Sequence, residues 1–115
     1  MGAIVLNKTD LDRDENTYEF QGYRHGDTSL SFIWVDFPPG GGPRLHKHPY
    51  EEVFIILEGQ ATFTVGPETV EATAGQVIIS PPDTPHKFVN SGSGSLRQID
   101  IHASTRFITE WLEDR

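Results

Sequence analysis

Short stretches of apolar residues, several of them alternating with polar ones, recur along the chain and predict β-strands joined by tight turns. The most continuous stretch, residues 29–37, carries apolar side chains on both faces of the predicted strand. Its two sets are Ile33, Val35 and Phe37 against Phe32, Trp34 and Asp36. Apolar residues on both faces are expected of a strand that lies between the core and a second covered surface.

The same pattern predicts other short strands on either side of this one. They fall at residues 3–6, 18–20, 53–57, 60–65, 69–72, 76–79, 86–89 and 96–102. Clusters of the eleven glycines and eight prolines separate them and supply the turns. About ten short strands at this spacing predict an all-β fold, either a barrel or a two-sheet jelly roll.

The hydrophobic period changes near the end of the chain. Phe107, Ile108, Trp111 and Leu112 fall at i, i+1, i+4 and i+5, which is the stripe of an amphipathic helix. We therefore expect one domain over residues 1–115. It divides into an N-terminal strand or arm (1–20), a β-barrel (21–103) and a short C-terminal α-helix (104–115) that packs on the barrel or on a second subunit.

Composition narrows the class of protein. Hydrophobic residues make up 36% and aromatic residues 10% of the 115 positions, which indicates a globular chain. Cysteine is absent, so disulfides and thiol chemistry are excluded. The formal net charge of −8 argues against nucleic acid and anionic membranes as partners. Because no signal-peptide pattern or long apolar run is present, we expect a cytoplasmic protein.

Candidate chemistry centres on two histidines and a glutamate. His46, His48 and Glu52 all have even numbers, so in extended backbone their side chains can project to one face. Two imidazoles and a carboxylate that converge suit a borderline divalent metal, and His86 is a fourth candidate ligand. On spacing alone, the alternative is a pair of exposed loop histidines followed by an ordinary acidic pair.

The spacing around these residues resembles the two sequence motifs of the cupin family. The first, G(X)5HXH(X)3,4E(X)6G, falls on Gly40, His46, His48, Glu52 and Gly59. The second, G(X)5PXG(X)2H(X)3N, falls on Gly75, Pro81, His86 and Asn90. One position departs from it, because Asp83 replaces a glycine. Aspartate tolerates the left-handed backbone better than most residues, so this departure does not put the fold in doubt.

The resemblance implies both a fold and a metal site. Cupins are small jelly-roll barrels, and their usual ligands correspond to His46, His48, Glu52 and His86. Three nitrogens and one oxygen would leave two positions of an octahedral ion for water, substrate or dioxygen. We therefore expect one divalent transition metal ion, Fe, Mn, Ni, Co or Zn, rather than Mg or Ca.

Further side chains are candidates for the pocket wall. Phe54 and Ile56 share the parity of Glu52, and Phe88 follows His86 on its predicted strand. A polar stripe on the last predicted barrel strand consists of Gln98, Asp100 and His102. It could contact the metal ligands or a substrate, or it could face a polar dimer interface.

Two function classes remain open from the sequence. The first is a metal-dependent enzyme on a small organic substrate, and a dioxygenase-like oxidoreductase is the first choice, with isomerase, decarboxylase or lyase chemistry as alternatives. The second is a non-catalytic small-molecule binding or sensor protein. No catalytic serine triad, phosphate loop or dinucleotide motif is present. Small cupins commonly form dimers, so the resemblance also implies a homodimer.

Overall fold

The computed structural model describes residues 2–114, which form two antiparallel sheets packed face to face. The strands are β1 (Asp12–Asp14), β2 (Thr17–Gln21), β3 (Ser31–Phe37), β4 (His46–Lys47), β5 (Glu52–Glu58), β6 (Gln60–Val65), β7 (Glu68–Thr73), β8 (Val77–Ser80), β9 (His86–Asn90), β10 (Leu96–His102) and β11 (Glu110–Trp111). Two short 3-10 turns lie at Lys8–Asp10 and Gly22–Arg24. The predicted all-β jelly roll is therefore confirmed.

The sheets divide the strands in an interleaved order. One has six strands in the order β1-β2-β3-β10-β5-β8, and the other has five in the order β11-β4-β9-β6-β7. Successive strands from β4 onward mostly alternate between the sheets, so residues of the two motifs meet across the interior. In particular, β4 pairs with β9 through His46 and His86.

Side-chain alternation divides the six-stranded sheet into two faces. Inward-facing residues of both sheets form the core cluster, which comprises Val35, Phe54, Ile56, Ala61, Phe63, Ala72, Phe88 and Leu96. The polar stripe of β10 also faces inward, since Gln98, Asp100 and His102 are each at most 3% exposed. This position rules out a dimer interface for the stripe and places it against the interior.

The outer face of the same sheet is apolar over five strands. Cross-strand pairing arranges its side chains in two rows. One row is Phe20, Phe32, Ile101, Val53 and Ile79, and the other is Tyr18, Trp34, Ile99, Ile55 and Val77. Val77 and Ile79 remain 57% and 63% exposed. Contiguous exposed apolar surface of this kind commonly marks an interaction site.

The turns of both motifs require a left-handed backbone. Gly40, Gly59 and Gly75 have φ values of +83°, +92° and +91°. Asp83, which stands where the second motif has glycine, also lies in this region at φ +58°. Its amide donates a hydrogen bond to the carbonyl of His48 over 2.7 Å. Aspartate is thus accommodated in the turn as expected, and the turn connects the two motifs.

The C-terminal helix predicted for residues 104–115 is wrong for the part of it that the structure describes. Residues 104–106 form a bend, no helix follows in residues 107–114, and Glu110 and Trp111 pair with β4 as the short strand β11. A helix of about ten residues is marginal on its own, whereas the free edge of β4 offers unpaired backbone groups. Phe107 and Trp111 instead pack on the rings of His102 and His46, whereas the side chains of Ile108 and Leu112 remain exposed. None of the helical turns within residues 2–114 has the length and apolar character needed to cross a membrane.

The strand predicted at residues 3–6 is also not formed within the chain. These residues are extended but pair with no strand of the described structure. Ile4 and Val5 are 66% and 86% exposed.

Two glycines with nearly the same φ differ in what surrounds them, which allows a matched test of the turn geometry. A Cβ at Gly59 would lie 2.3 Å from the carbonyl oxygen of Ser95, whereas a Cβ at Gly75 meets nothing within 4 Å. We expect Gly75→Ala to cost about 1–2 kcal/mol for the left-handed backbone alone. Gly59→Ala should cost roughly 2 kcal/mol more, because backbone must move to admit the methyl group. Urea unfolding of both variants measures the difference, and equal losses would contradict this account.

Candidate metal centre

Four potential metal ligands converge at the end of the interior that lies beside β4. His46 belongs to β4, His48 follows it, and Glu52 and His86 begin β5 and β9. All four side chains are buried, and their candidate ligand atoms lie within 4.8 Å of one another. The structure therefore brings together the residues that the sequence nominates and excludes the alternative of exposed loop histidines.

Backbone carbonyls hold the outer nitrogen of each of these histidines. The Nδ1 atoms of His46, His48 and His86 lie 2.6, 2.8 and 2.9 Å from the carbonyl oxygens of Arg44, Ile108 and Thr84. A carbonyl oxygen can only accept, so each Nδ1 carries a proton and donates it. In the neutral ring, Nε2 then has the lone pair, which is the arrangement typical of metal-binding histidines.

Glu52 lies at the centre of this group. Its Oε1 atom is 3.1 Å from Nε2 of His48 and 3.0 Å from Nε2 of His86. Burial raises the pKa of Glu52, but its contacts with His102, His48 and His86 outweigh burial and hold the pKa well below its usual range. The residue is therefore a carboxylate with almost no access to water.

The donor set fits a cation. With protons on Nδ1, the Nε2 lone pairs of His48 and His86 face a carboxylate oxygen, and Nε2 of His48 has no hydrogen-bond partner among residues 2–114. Burial lowers the pKa of His46 to about 4, so this imidazole is neutral at physiological pH. Neutral imidazoles beside a buried carboxylate are the ligands that borderline divalent metals select.

A cavity of about 640 Å³ opens from His46, His48 and Glu52, whereas His86 lies behind its wall. Phe54, Phe88 and His102 line it, as the sequence predicts, whereas Ile56 and Gln98 do not belong to its wall. Ile56 packs in the apolar core. The amide of Gln98 instead donates a hydrogen bond to Asp100 over 2.7 Å. These two residues support the wall without reaching a ligand in the cavity.

Asp100 is a second buried carboxyl group, and it lines the cavity. Burial and the nearby charge of Glu52 raise the pKa of Asp100 well above its usual range, although the Gln98 hydrogen bond opposes this. Asp100 is thus held neutral and can donate a hydrogen bond, whereas Glu52 is ionised. Two carboxyl groups in one site with opposite pKa shifts are typical of a functional centre.

The extended segment 107–113, which we call the C-terminal strap, completes the wall. Its Phe107 ring packs on His102 with centroids 4.8 Å apart, and its Trp111 ring lies 5.0 Å from His46. The carbonyl of Ile108 accepts the His48 hydrogen bond described above. The strap is attached by a hydrogen bond from Leu112 N to Leu45 O over 2.9 Å. It therefore orients one candidate ligand and shields two rings from water.

Sequence reasoning missed Tyr50 and the strap as parts of the site. Tyr50 lies between two predicted ligands and its hydroxyl is 2.7 Å from Nδ1 of His102. The aromatic residue between His48 and Glu52 was a usable signal, because a buried tyrosine hydroxyl needs a partner. Contacts of the strap had no comparable signal, since they depend on backbone groups and on a β4 edge that only the folded chain reveals.

Comparison with known proteins identifies the family. The family model described as "Cupin domain" matches residues 33–102, which is more than half of the chain. The chain is a cupin. An uncharacterized protein from Methanocaldococcus jannaschii, MJ1618, is 43% identical over 61 residues, covering 52% of this cupin and 49% of that protein.

Two further similarities extend over almost the whole of this cupin. The HTH-type transcriptional regulator PuuR of Escherichia coli is 29% identical over 109 residues, covering 90% of this chain and 58% of PuuR. The cupin thus spans about half the length of the first curated relatives it matches. Oxalate decarboxylase from Lactobacillus farciminis superimposes with a TM-score of 0.80 at 23% identity, covering 90% of this chain and 34% of that one. This structural likeness supports the fold.

The buried acid of the cavity gives a prediction for stability. Because the pKa of Asp100 is raised in the folded state, the unfolded chain releases this proton above about pH 4 while the native cupin retains it. The contribution of Asp100 to the free energy of unfolding therefore falls as pH rises from about 4. Asp100→Asn cannot ionise and keeps an acceptor for Gln98, so at pH 8 its free energy of unfolding should exceed that of the metal-free parent.

The measurement is thermal and urea unfolding of metal-free protein between pH 4 and pH 8. The advantage of Asp100→Asn should shrink toward pH 4, where both unfolded chains are neutral at this position. Asp36→Asn on the exposed face of β3 is the control and should show no such pH-dependent gain. A variant that is less stable than the parent at pH 8 would contradict a neutral Asp100.

Proposed function

We propose that this cupin is a metal-dependent enzyme that acts on a small organic substrate in the cavity, with dioxygenase-like oxidation as the first reaction to test. The observation that carries the proposal is the set of four buried ligand residues with candidate ligand atoms within 4.8 Å of one another, in which Nε2 of His48 and Nε2 of His86 face the Glu52 carboxylate. His46, His48, Glu52 and His86 would hold one ion of Fe, Mn, Ni, Co or Zn. Such an ion supplies a Lewis acid or a redox centre.

The residues of the chain provide the remaining functions of an active site. Phe54, Phe88 and Trp111 give the cavity apolar surface that binds and orients an organic molecule. Asp100 holds a proton at its carboxyl group and can donate a hydrogen bond to a substrate oxygen or nitrogen. The strap excludes water from His46 and His102, which strengthens electrostatic interactions within the site. These features equally support isomerase, decarboxylase or lyase chemistry, which product analysis distinguishes from oxidation.

A second candidate function is small-molecule sensing without turnover. Its support is the 29% identity with the transcriptional regulator PuuR over 90% of this chain. In that case, the ion would anchor a ligand in the cavity, and the signal would be a change in the stability or surface of the domain. The net charge of −8 disfavours direct contact of this domain with nucleic acid.

Turnover by metal-loaded protein tests the proposal, and His86→Ala is the decisive variant. Parent protein loaded separately with Fe²⁺, Mn²⁺, Ni²⁺ or Co²⁺ is offered diketone and phenolic substrates while an electrode records oxygen uptake. We expect oxygen uptake with at least one combination of metal and substrate. In His86→Ala the rate of uptake should fall by more than about 100-fold, because removing a metal ligand costs more than removing the hydrogen-bond partner of a ligand. His25→Ala, which lies outside the cavity lining, should retain the parent rate.

The outcomes separate the candidate functions. If product forms without oxygen uptake, the reaction at this site is a decarboxylation, lyase or isomerase reaction and not an oxidation. Stoichiometric ligand binding without any product would favour the sensor. Equal rates in His86→Ala and the parent would contradict the assignment of His86 to the centre.

We further propose that a second copy of this chain covers the apolar outer face of the six-stranded sheet. The two five-residue rows on this face contain no charged side chain, although the chain as a whole has a net charge of −8. Two such acidic chains repel each other over most of their surfaces and can approach closely along the apolar rows, where the charges over the rings of Tyr18 and Trp34 are the positive ones of Lys8 and Arg13. The face also has the continuous apolar character that homodimer interfaces share with protein cores.

Ile79→Glu tests this interface. The substitution places a charge in the exposed end of one row, so we expect a parent dimer to become a monomer in analytical ultracentrifugation. Val89→Glu is the matched control, because Val89 is 38% exposed on the other sheet. It should leave the dimer intact. A monomeric parent, or dissociation by the control alone, would contradict the proposed face.

A further inference from the structure

His102 lies as close to Glu52 as two of the candidate ligands do, yet its surroundings differ from theirs. Its Nε2 atom is 3.1 Å from Glu52 Oε2, and the side chain is only 2% exposed. Backbone carbonyls hold the Nδ1 atoms of His46, His48 and His86, whereas the Nδ1 atom of His102 faces the hydroxyl of Tyr50 at 2.7 Å. Unlike a carbonyl, a hydroxyl can donate as well as accept. His102 can therefore adopt the tautomer with its proton on Nε2, whereas the other three histidines carry theirs on Nδ1.

The strap decides which way the Tyr50 proton points. The amide of Ile108 donates to the Tyr50 oxygen over 3.2 Å, and the hydroxyl proton itself remains available for donation. Nδ1 of His48 is 3.4 Å from that oxygen but already donates to the carbonyl of Ile108 at 2.8 Å. His102 Nδ1 is therefore the acceptor that remains. If Nδ1 accepts, the proton of the neutral His102 ring must be on Nε2.

We propose that Tyr50 and His102 form a positioning relay that fixes His102 in the Nε2–H tautomer and directs this N–H toward Oε2 of Glu52. Oε1 then stays on the side of His48 and His86, whose Nε2 atoms carry lone pairs. The inference rests on the proposed metal site and deepens it, because it assigns His102 to the support of the carboxylate and not to the ligand set. The relay starts at the strap, outside the matched family region of residues 33–102.

Two features of the structure agree with this assignment. His102 Nε2 lies 3.1 Å from Glu52 Oε2, and no residue within 2–114 takes this nitrogen as a hydrogen-bond partner, so an N–H there is available to the carboxylate. In addition, the ring of Phe107 packs edge-on against His102 and limits its rotation.

Histidine nitrogen shifts test the tautomers directly. Long-range proton–nitrogen correlation spectra of ¹⁵N-histidine-labelled full-length protein are recorded metal-free and after one equivalent of Zn²⁺, which is diamagnetic. We expect His102 to give the Nε2–H pattern in both states. His46, His48 and His86 should give the Nδ1–H pattern and show the shift of a zinc-bound Nε2. A His102 with its proton on Nδ1, or with zinc on Nε2, would overturn the relay.

Substitution of Tyr50 tests the function of the relay. Tyr50→Phe removes only the hydroxyl, so we expect loss of the pure Nε2–H pattern at His102 and a zinc affinity lower by about 10–100-fold, as is usual when a partner of a ligand is removed. Tyr23→Phe makes the same change at an exposed tyrosine outside the cavity lining and should match the parent. If Tyr50→Phe has the same zinc affinity as the parent and the same His102 tautomer, the proposal is overturned.

His102 variants provide the rescue experiment. His102→Gln keeps an N–H donor near Oε2 and should retain most of the zinc affinity, whereas His102→Leu should lose about as much as Tyr50→Phe. Equal losses in both His102 variants would overturn the role of the donated N–H. A parent that binds no zinc would contradict the proposed function, while the metal-free spectrum would still decide whether Tyr50 sets the tautomer of His102.

Discussion

The buried negative charge of Glu52 is the constraint on which the rest of the site depends. A carboxylate that is 2% exposed is costly unless partners meet its charge, and within residues 2–114 the ion-pair partners of Glu52 are histidines rather than lysine or arginine. Three histidines contact it instead, and two of them have their protons committed to backbone carbonyls on the far side of the ring. A cation among these ligand atoms would balance the buried charge. The folded interior therefore favours a metal centre at this position.

The short turns that shape the fold also position the candidate metal ligands. The left-handed turn at Asp83 hydrogen-bonds to His48, and the β4–β9 pairing opposes His46 and His86. Asn90 joins the other end of β9 to the loop after β3, because its side-chain amide donates to the carbonyls of Phe37 and Gly94. Because these contacts use backbone groups, the position of each candidate ligand depends on turn geometry more than on packing. This explains why a chain with a small apolar core can still hold several polar side chains in one place.

How far the sequence could predict the structure depends on how local the determining interactions are. Period-two alternation and fixed motif spacing located most of the strands and the set His46, His48, Glu52 and His86, because both are local properties of extended backbone. Ile56 was placed on the cavity wall by parity alone, and the structure has it deeper in the core. The helical stripe at residues 107–112 was misread, because its apolar residues are spaced for contacts with His102 and His46 and not for one helix face. Tyr50 and Ile108 act through partners distant in sequence, which no spacing pattern encodes.

The count of metal ions bound per chain tests the central claim most directly. Purified untagged protein is analysed for elements as isolated, and again after metal removal and reconstitution with Mn²⁺, Fe²⁺, Co²⁺, Ni²⁺ or Zn²⁺. This account predicts close to one transition metal ion per chain, bound tightly enough to survive gel filtration. Protein that retains no ion under any of these conditions would contradict it, and the buried carboxylate would then have to be neutralised by protonated histidine.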